Sequence, residues 1–422
     1  MKTRAFRTFT CISTMILLAA TGAIPIRLAA EDSERQNNHH DHVRYTVKVL
    51  STLGGTSGVG NSINNRGWVV GGANLTGDTT EHATLWRHGV KTDLGTLGGP
   101  DSLVNSPVKN EKGKIAGFAE TSTTDPLGEE FCTGLTFFGF HDGVTCLGFL
   151  WHDGVMAPLP TLGGNNSLAS GVNNRGQVVG LAENSTQDST CTPPQVLQFE
   201  AVIWGPKKGE MHRLRSLSGD ADGAALAIND NGEVAGCSGV CANVGPASCL
   251  HAVVWKKGLP TDLRGRGVLN FAVGINNRGQ ALGASVLADG SVRSFVWRNG
   301  AKTDLGRLPR HPLTFPGSIN NKGQVVGHSC DATDTFCVAY IWQNGVITDL
   351  NTLIRPGSSL SLIYAGDINE RGEITGEAFD SKTGASPAFL AIPCDEEHAH
   401  VQGCEDQAQD AIGVQRASKP LE

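Results

Sequence analysis

The chain has 422 residues, 39% hydrophobic but only 6% aromatic, with 54 glycines. That is length enough for a sizeable core, built by a chain that turns often. Its 34 basic residues against 41 acidic ones leave no positive footprint for a nucleic-acid backbone, so that class of partner is set aside.

The N-terminus reads as a secretory leader over residues 1–30. Lys2, Arg4 and Arg7 form a basic head, and Cys11 to Ile24 is apolar but short for a bilayer span. Small residues place cleavage after Ala23 or Ala30, against the alternative of an uncleaved membrane anchor. Cys11 stands at the start of the apolar run and not after it, which argues against a lipoprotein box. Losing the leader removes four basic residues and leaves 30 against 41, a net charge of −11. Residues 31–44 form a polar linker. Its His39-His40-Asp41-His42 cluster reads as linker rather than as a metal site.

One pattern then recurs seven times: Ile or Val, Asn, two variable residues, Gly, and two mostly apolar residues closed by Gly. The first copy is Ile63 to Gly71, and the others surround Gly113, Gly176, Gly232, Gly279, Gly323 and Gly372. A fixed period of about 48 residues means one supersecondary unit repeated. In the first copy a strand of small residues around Gly60 to Asn64 meets Asn64-Asn65-Arg66-Gly67. This predicts a hairpin turn with a bulge at the Gly. Trp68 to Gly71 begins a second strand, Ala83 to Trp86 is a third, and Val90 to Leu94 a fourth after the His88-Gly89 turn. Third strands elsewhere end in Trp151, Trp204, Trp255, Trp297 and Trp342, which we assign to packing between units. Asp153-Gly154, Asn299-Gly300 and Asn344-Gly345 follow, dipeptides that mark tight hairpins. No segment holds a helical period.

The positions before the recurring Ile or Val are mostly small: Gly60, Ser62, Ala169, Ser170, Gly171, Gly274, Gly317 and Gly366. Inner strands converging on a channel need small residues there. At the ends, Tyr45 to Gly55 looks like the close of a repeat whose earlier strands are missing. The seventh copy ends at Pro387 to Ile392 without a fourth strand, Ala391 standing in the place of Trp. Each fragment completes the other and removes an open edge. The expected fold is all-β, a seven-bladed β-propeller of four-stranded antiparallel blades over residues 45–393, closed by the N-terminal strand. Residues 394–422 form an acidic tail, expected to be disordered past Cys404.

Thr-Asp-Leu-Gly-Thr-Leu-Gly-Gly, Ile-Asn-x-x-Gly-x-Val-Val-Gly and the strands His82-Ala83-Thr84-Leu85-Trp86 and His251-Ala252-Val253-Val254-Trp255 resemble the extracellular HAF-repeat family. Ser294-Phe295-Val296-Trp297 and Gly148-Phe149-Leu150-Trp151 depart from its name-giving stretch. The resemblance spans nearly the whole mature chain. It implies an exported bacterial repeat protein and carries no activity with it.

Ten cysteines remain after the leader, an even number that points to disulfides in an oxidising compartment. Cys132 and Cys146 flank one loop, Cys330 and Cys337 another, and Cys394 and Cys404 bracket the start of the tail. Pairing of Cys191, Cys237, Cys241 and Cys249 cannot be read. Six of the ten fall in long insertions after three neighbouring second strands, spanning about Ala119–Leu147, Ala182–Phe199 and Ser238–Leu250, with Cys237 at the edge of the last. On the same predicted face the links between repeats carry Asp101, Asn165, Asp220, Asp222, Arg266, Arg310, His311 and Arg355, polar groups around a channel mouth. Asp367 falls in an inner strand. Sequons stand at Asn74, Asn166 and Asn184. No Gly-x-Ser-x-Gly elbow, His-Glu-x-x-His or phosphate loop is present, and the Asn-x-x-Gly turns lack the acidic ligands that calcium needs. The reading is a secreted, non-enzymatic binding or scaffold protein, its loop face meeting an extracellular polysaccharide or protein. It has no cofactor, no metal and no stable membrane insertion. The alternative is a hydrolase or lyase acting on a polysaccharide at the channel mouth.

Overall fold

The computed structural model describes residues 44–107, 110–132, 143–241 and 248–404. The expected leader, the His39–His42 cluster and the tail beyond Cys404 lie outside the described residues. Among the described residues there are 28 strands and no α-helix, and no helix is long and apolar enough to cross a membrane.

The first unit shows how each is made. After β1 (Tyr45–Leu50), β2 (Gly54–Ile63), β3 (Val69–Leu75), β4 (Glu81–Arg87) and β5 (Val90–Asp93) form one antiparallel sheet in sequence order. Sheets of the same order cover 98–158, 163–213 and 222–262. The two units spanning 269–349 are merged into one larger sheet by a single parallel pairing of Val292 with Leu313. In the last sheet the strands Leu360–Ile368, Ile374–Asp380 and Ala388–Pro393 are followed by β1, with Thr46 opposite Ile392 and Val49 opposite Phe389. Ala391 faces Ile374 as Trp86 faces Val69.

Turn chemistry follows the residues. His88-Gly89, Asp153-Gly154, Lys257-Gly258, Asn299-Gly300 and Asn344-Gly345 all have positive φ at both positions, the two-residue turn whose twist suits a hairpin. In the Asn-x-x-Gly turns, Gly67 N donates to Asn64 O and Asn64 N to Trp68 O, with Gly67 at φ 72°, which gives the expected bulge. The Asn side chain does more. Its Oδ1 caps its own turn, accepting from Arg66 N and Trp68 N in the first copy. Its Nδ2 donates to the backbone oxygen of the equivalent Asn one unit on. These bonds run Asn64 to Asn110, Asn173, Asn229, Asn276, Asn320 and Asn369, and Asn369 donates back to Asn64, all at 2.7–3.2 Å.

A second bulge, which the sequence reading did not include, interrupts the first strand of six units. Register shifts leave Asn61, Ser170, Leu226, Val273, Gly317 and Gly366 as the extra residue. Neighbouring first strands approach closely there: a Cβ on Gly366 would lie 2.7 Å from Gly60 O, and one on Gly317 2.5 Å from Ala365 O. This is the crowding that the small residues answer.

Units pack on one another to complete their cores. Val70, Leu85, Ile115, Phe149, Ala169 and Trp204 share one cluster drawn from three successive units. The third-strand tryptophans Trp86, Trp204, Trp255 and Trp297 are buried. The indole N–H groups of Trp86, Trp204 and Trp255 donate to Ser51 O, Pro160 O and Arg215 O, each at the end of the preceding unit. Each such ring contributes about 2–3 kcal/mol by burial. Asp367 is a latch between the last and first units: its Oδ2 accepts from Ile63 N at 2.9 Å and Ser62 Oγ at 3.3 Å. The sequon residues Asn74, Asn166 and Asn184 are buried, which leaves a glycan no room.

Candidate active site

Five disulfides join Cys132–Cys146, Cys191–Cys241, Cys237–Cys249, Cys330–Cys337 and Cys394–Cys404. Three of them lie in the second, third and fourth repeats, and Cys191–Cys241 joins the third to the fourth. The described residues of the second and third repeats bring together buried carboxylates that the sequence reading did not single out.

Glu183 belongs to the strand Val178–Gln187 and faces Phe199 across the ladder. Alternation puts it on the same face as Leu181. Its Oε2 accepts from Asn165 N at 3.1 Å and Asn166 N at 2.8 Å. Its Oε1 accepts from Gln195 Nε2 at 2.9 Å, and the same nitrogen lies 3.1 Å from Glu129 Oε1. That oxygen of Glu129 also accepts from Val196 N and Leu197 N. Asn166 Nδ2 ties Glu183 to Asp125 Oδ2, 2.7 Å away. Glu129, Glu183, Asn166, Gln195 and Asp125 are all buried.

Burial pushes the Glu183 carboxyl up to about 7, and the neighbouring charge of Glu129 adds to it, against the Gln195 and backbone donors. Glu129 is also raised by burial, opposed by the Leu197 and Val196 amides. Each carboxyl has one oxygen that accepts from two backbone amides, which favours the charged form of both. Glu183 is set apart by the charge of Glu129 added to its burial, so it is the member of the pair that is still partly protonated near neutrality. On the other side of Phe199, Asp222 accepts from Phe199 N at 2.9 Å and is pushed up to about 7 by burial.

The raised acid has a consequence for stability. A carboxyl whose folded pKa lies above its unfolded value stabilises fully at acid pH and loses that contribution as pH climbs through about 7. Glu183→Gln keeps the uncharged form at every pH. Its side-chain NH2 must face N–H groups from which the carboxyl accepts, a cost that does not vary with pH. The stability of the variant relative to the parent is therefore expected to rise by about 2–3 kcal/mol from pH 5 to pH 8, read from urea midpoints at the two pH values.

The eight polar residues anticipated at the channel mouth have separate roles. Asn165 belongs to the carboxylate network, through its backbone to Glu183 and its side chain to Glu129. Asp101 is buried and its Oδ1 accepts from Glu81 N at 2.6 Å, a link between units, as Asp222 makes to Phe199. Asp220 accepts from Ser238 Oγ at 2.6 Å and pairs with His251 Nδ1 at 2.9 Å. Arg266 is exposed beside Arg293, Lys302 and Asp304, Arg355 is exposed beside Tyr45 and Ile354, Arg310 sits exposed at φ 66°, and His311 is half-buried. The missed residues had little signal in the sequence: Glu183 stands where the other copies carry Asn74, Glu120, Gly239, Val286, Cys330 and Phe379, so the second copy has a Glu there too.

No protein-family model matches the chain, and no curated protein matches it. Solved structures do. The chain is similar to the Pyrococcus horikoshii acylaminoacyl peptidase (10% identity, TM-score 0.45, 86% of this chain and 54% of that one). It is similar to a gluconolactonase from Xanthomonas campestris (10%, 0.35, 84% and 96%) and to the Trypanosoma rangeli sialidase (9%, 0.36, 73% and 55%). The chain spans about half the length of the peptidase and of the sialidase. All three are enzymes, and with them the expectation of a non-enzymatic binding or scaffold protein is corrected in favour of its alternative. Likeness at this level assigns this chain neither an activity nor a substrate.

Proposed function

We propose that residues 45–393 form a closed seven-bladed β-propeller, exported and of the HAF-repeat kind, that works as a hydrolase on a saccharide at the loop-covered channel mouth. Closure is supported by the Asn hydrogen bonds that return to Asn64 and by β1 completing the last sheet. Export is supported by five disulfides, which persist in oxidising compartments.

The observation that carries the catalytic reading is the carboxyl pair Glu129 and Glu183 on one amide nitrogen. Sharing that donor keeps their accepting oxygens within about 6 Å, below the separation of about 6.5–9.5 Å used by inverting glycosidases and compatible with the roughly 5–5.5 Å of retaining ones. Two carboxyls driven apart in acidity supply an acid and an anion at one pH. Glu183 is the general acid that protonates the leaving oxygen. Glu129 bonds to the anomeric carbon as the leaving oxygen departs, and water, deprotonated by Glu183, then cleaves that glycosyl ester. Gln195 covers both, so substrate entry requires the 188–197 loop to lift, within the limit set by the Cys191–Cys241 tether.

Turnover on a panel of polysaccharides and aryl glycosides tests this. The parent is expected to lose rate above pH of about 7 as Glu183 deprotonates, and Glu183→Gln and Glu129→Gln to fall by about 10²–10⁴-fold. A 2,4-dinitrophenyl glycoside, whose leaving group needs no proton, is expected to restore Glu183→Gln and leave Glu129→Gln inactive. A parent inert across the panel, or a Glu183→Gln variant at full rate on unactivated substrates, overturns the proposal.

A further inference from the structure

The bulges in the first strands have a product of their own. Ser170, Leu226, Val273 and Gly317, the extra residues of four successive units, all line one cavity of about 240 Å³ together with Leu181, Phe199 and Phe271. The inner strands therefore do not fill the space between them. A bulge re-aims one side chain at the cost of a ladder position, and here it does so repeatedly toward the same space.

The wall is mostly apolar, with Asn105, Ser106, Ser248 and Tyr364 among its polar members. Phe199 is fixed from two sides, by its amide to Asp222 and by an edge-on contact with Phe131, centroids 6.3 Å apart at 85°. The Cys237–Cys249 disulfide backs the same wall. Ser170 stands apart from the other polar members: it is 3% exposed, and its hydroxyl has no hydrogen-bond partner among the described residues. A buried hydroxyl normally finds one.

An apolar cavity of roughly 150 Å³ takes up a single benzene ring. A space half as large again admits a fused two-ring molecule. We propose that this cavity is a binding site for a compact aromatic or alicyclic alcohol, its ring system against Phe199, Phe271 and Leu181 and its hydroxyl bonded to Ser170. The site does not depend on the carboxylate pair or on the hydrolase reading.

The probes are 1-naphthol and naphthalene, titrated calorimetrically into the oxidised full chain. 1-Naphthol is expected to bind one to one and more tightly than naphthalene. Ser170→Ala is expected to weaken 1-naphthol about tenfold and leave naphthalene unchanged. Leu226→Trp is expected to abolish both by filling the space. Val273→Phe, a smaller intrusion, gives a second filling variant should the first fail to fold. Absence of binding by either probe overturns the proposal. So does binding untouched by whichever filling variant retains the parent's cooperative melt, or an equal effect of Ser170→Ala on both probes.

Discussion

Removal of residues 45–50 is expected to abolish cooperative folding or to lower Tm by well over 10 °C. The deletion takes away β1 and its antiparallel pairing with Ala388–Pro393. It also removes Tyr45, which is buried beside Leu353, Ile354 and Leu362. Six residues of ladder at about 1 kcal/mol per hydrogen bond, with about 2 kcal/mol for the aromatic ring, approach the whole stability of a typical domain. The strand Ala388–Pro393 would also be left as an unpaired edge, a template for association. Differential scanning calorimetry and light scattering of the truncated chain check this. A synthetic peptide of residues 44–52 added in trans is expected to restore the melt and suppress scattering, since backbone pairing alone can dock a strand. A truncated chain melting within about 3 °C of the parent would mean that the last sheet stands on three strands.

Asn229→Ala is expected to cost about 3–5 kcal/mol, large for a single turn residue. Asn229 is buried, and its Oδ1 accepts from Asn231 N and Glu233 N at 3.0 and 2.9 Å. Its Nδ2 donates to Glu233 Oε2 and to Asn276 O at 2.8 and 2.9 Å. Alanine strands groups in two units at once, and buried groups left unmatched cost about 1–3 kcal/mol each. The neighbour Asn277 is exposed, and Asn277→Ala is expected to cost under about 1 kcal/mol. Asn229→Asp separates the two parts of the role. It keeps the acceptor of the turn but sets a carboxylate oxygen against both Glu233 Oε2 and Asn276 O, so a cost near that of alanine assigns most of the energy to the two bonds that Nδ2 donates. Chemical denaturation of the three variants gives the comparison.

The strands were legible because period and punctuation agree. Trp86-Arg87-His88-Gly89-Val90 states a third strand, a tight turn and a fourth strand in five residues, and β4 and β5 follow it. Turn-forming Asn and Gly were equally plain, since both act through their own backbone. The link from one Asn to the next was not, because its partner lies 44 to 63 residues away along the chain, and 305 away for Asn369 and Asn64. The same holds for the bulges: Ser170 and Leu226 look like ordinary strand residues, and only the ladder shows them as extra. Cys330 and Cys337 pair across a short loop that spacing exposes, whereas Cys191 and Cys241 are 50 apart and meet only in the folded state. The eight polar residues were chosen for lying in links, which located Asn165 but passed over Glu129, Glu183 and Gln195. Acidity there arises from burial by insertions of two different repeats, and no local pattern records that.

The Cys191–Cys241 bond differs from the other four in reach. Those close 7 to 14 residues within one repeat or the tail, and each can form as soon as its short segment is available. Cys191 has to stay reduced until the next repeat has been delivered, while Cys237 and Cys249, which flank its proper partner in sequence, compete for it. A chain secreted in a strain lacking a thiol isomerase should therefore accumulate scrambled forms in this one region and mature normally elsewhere.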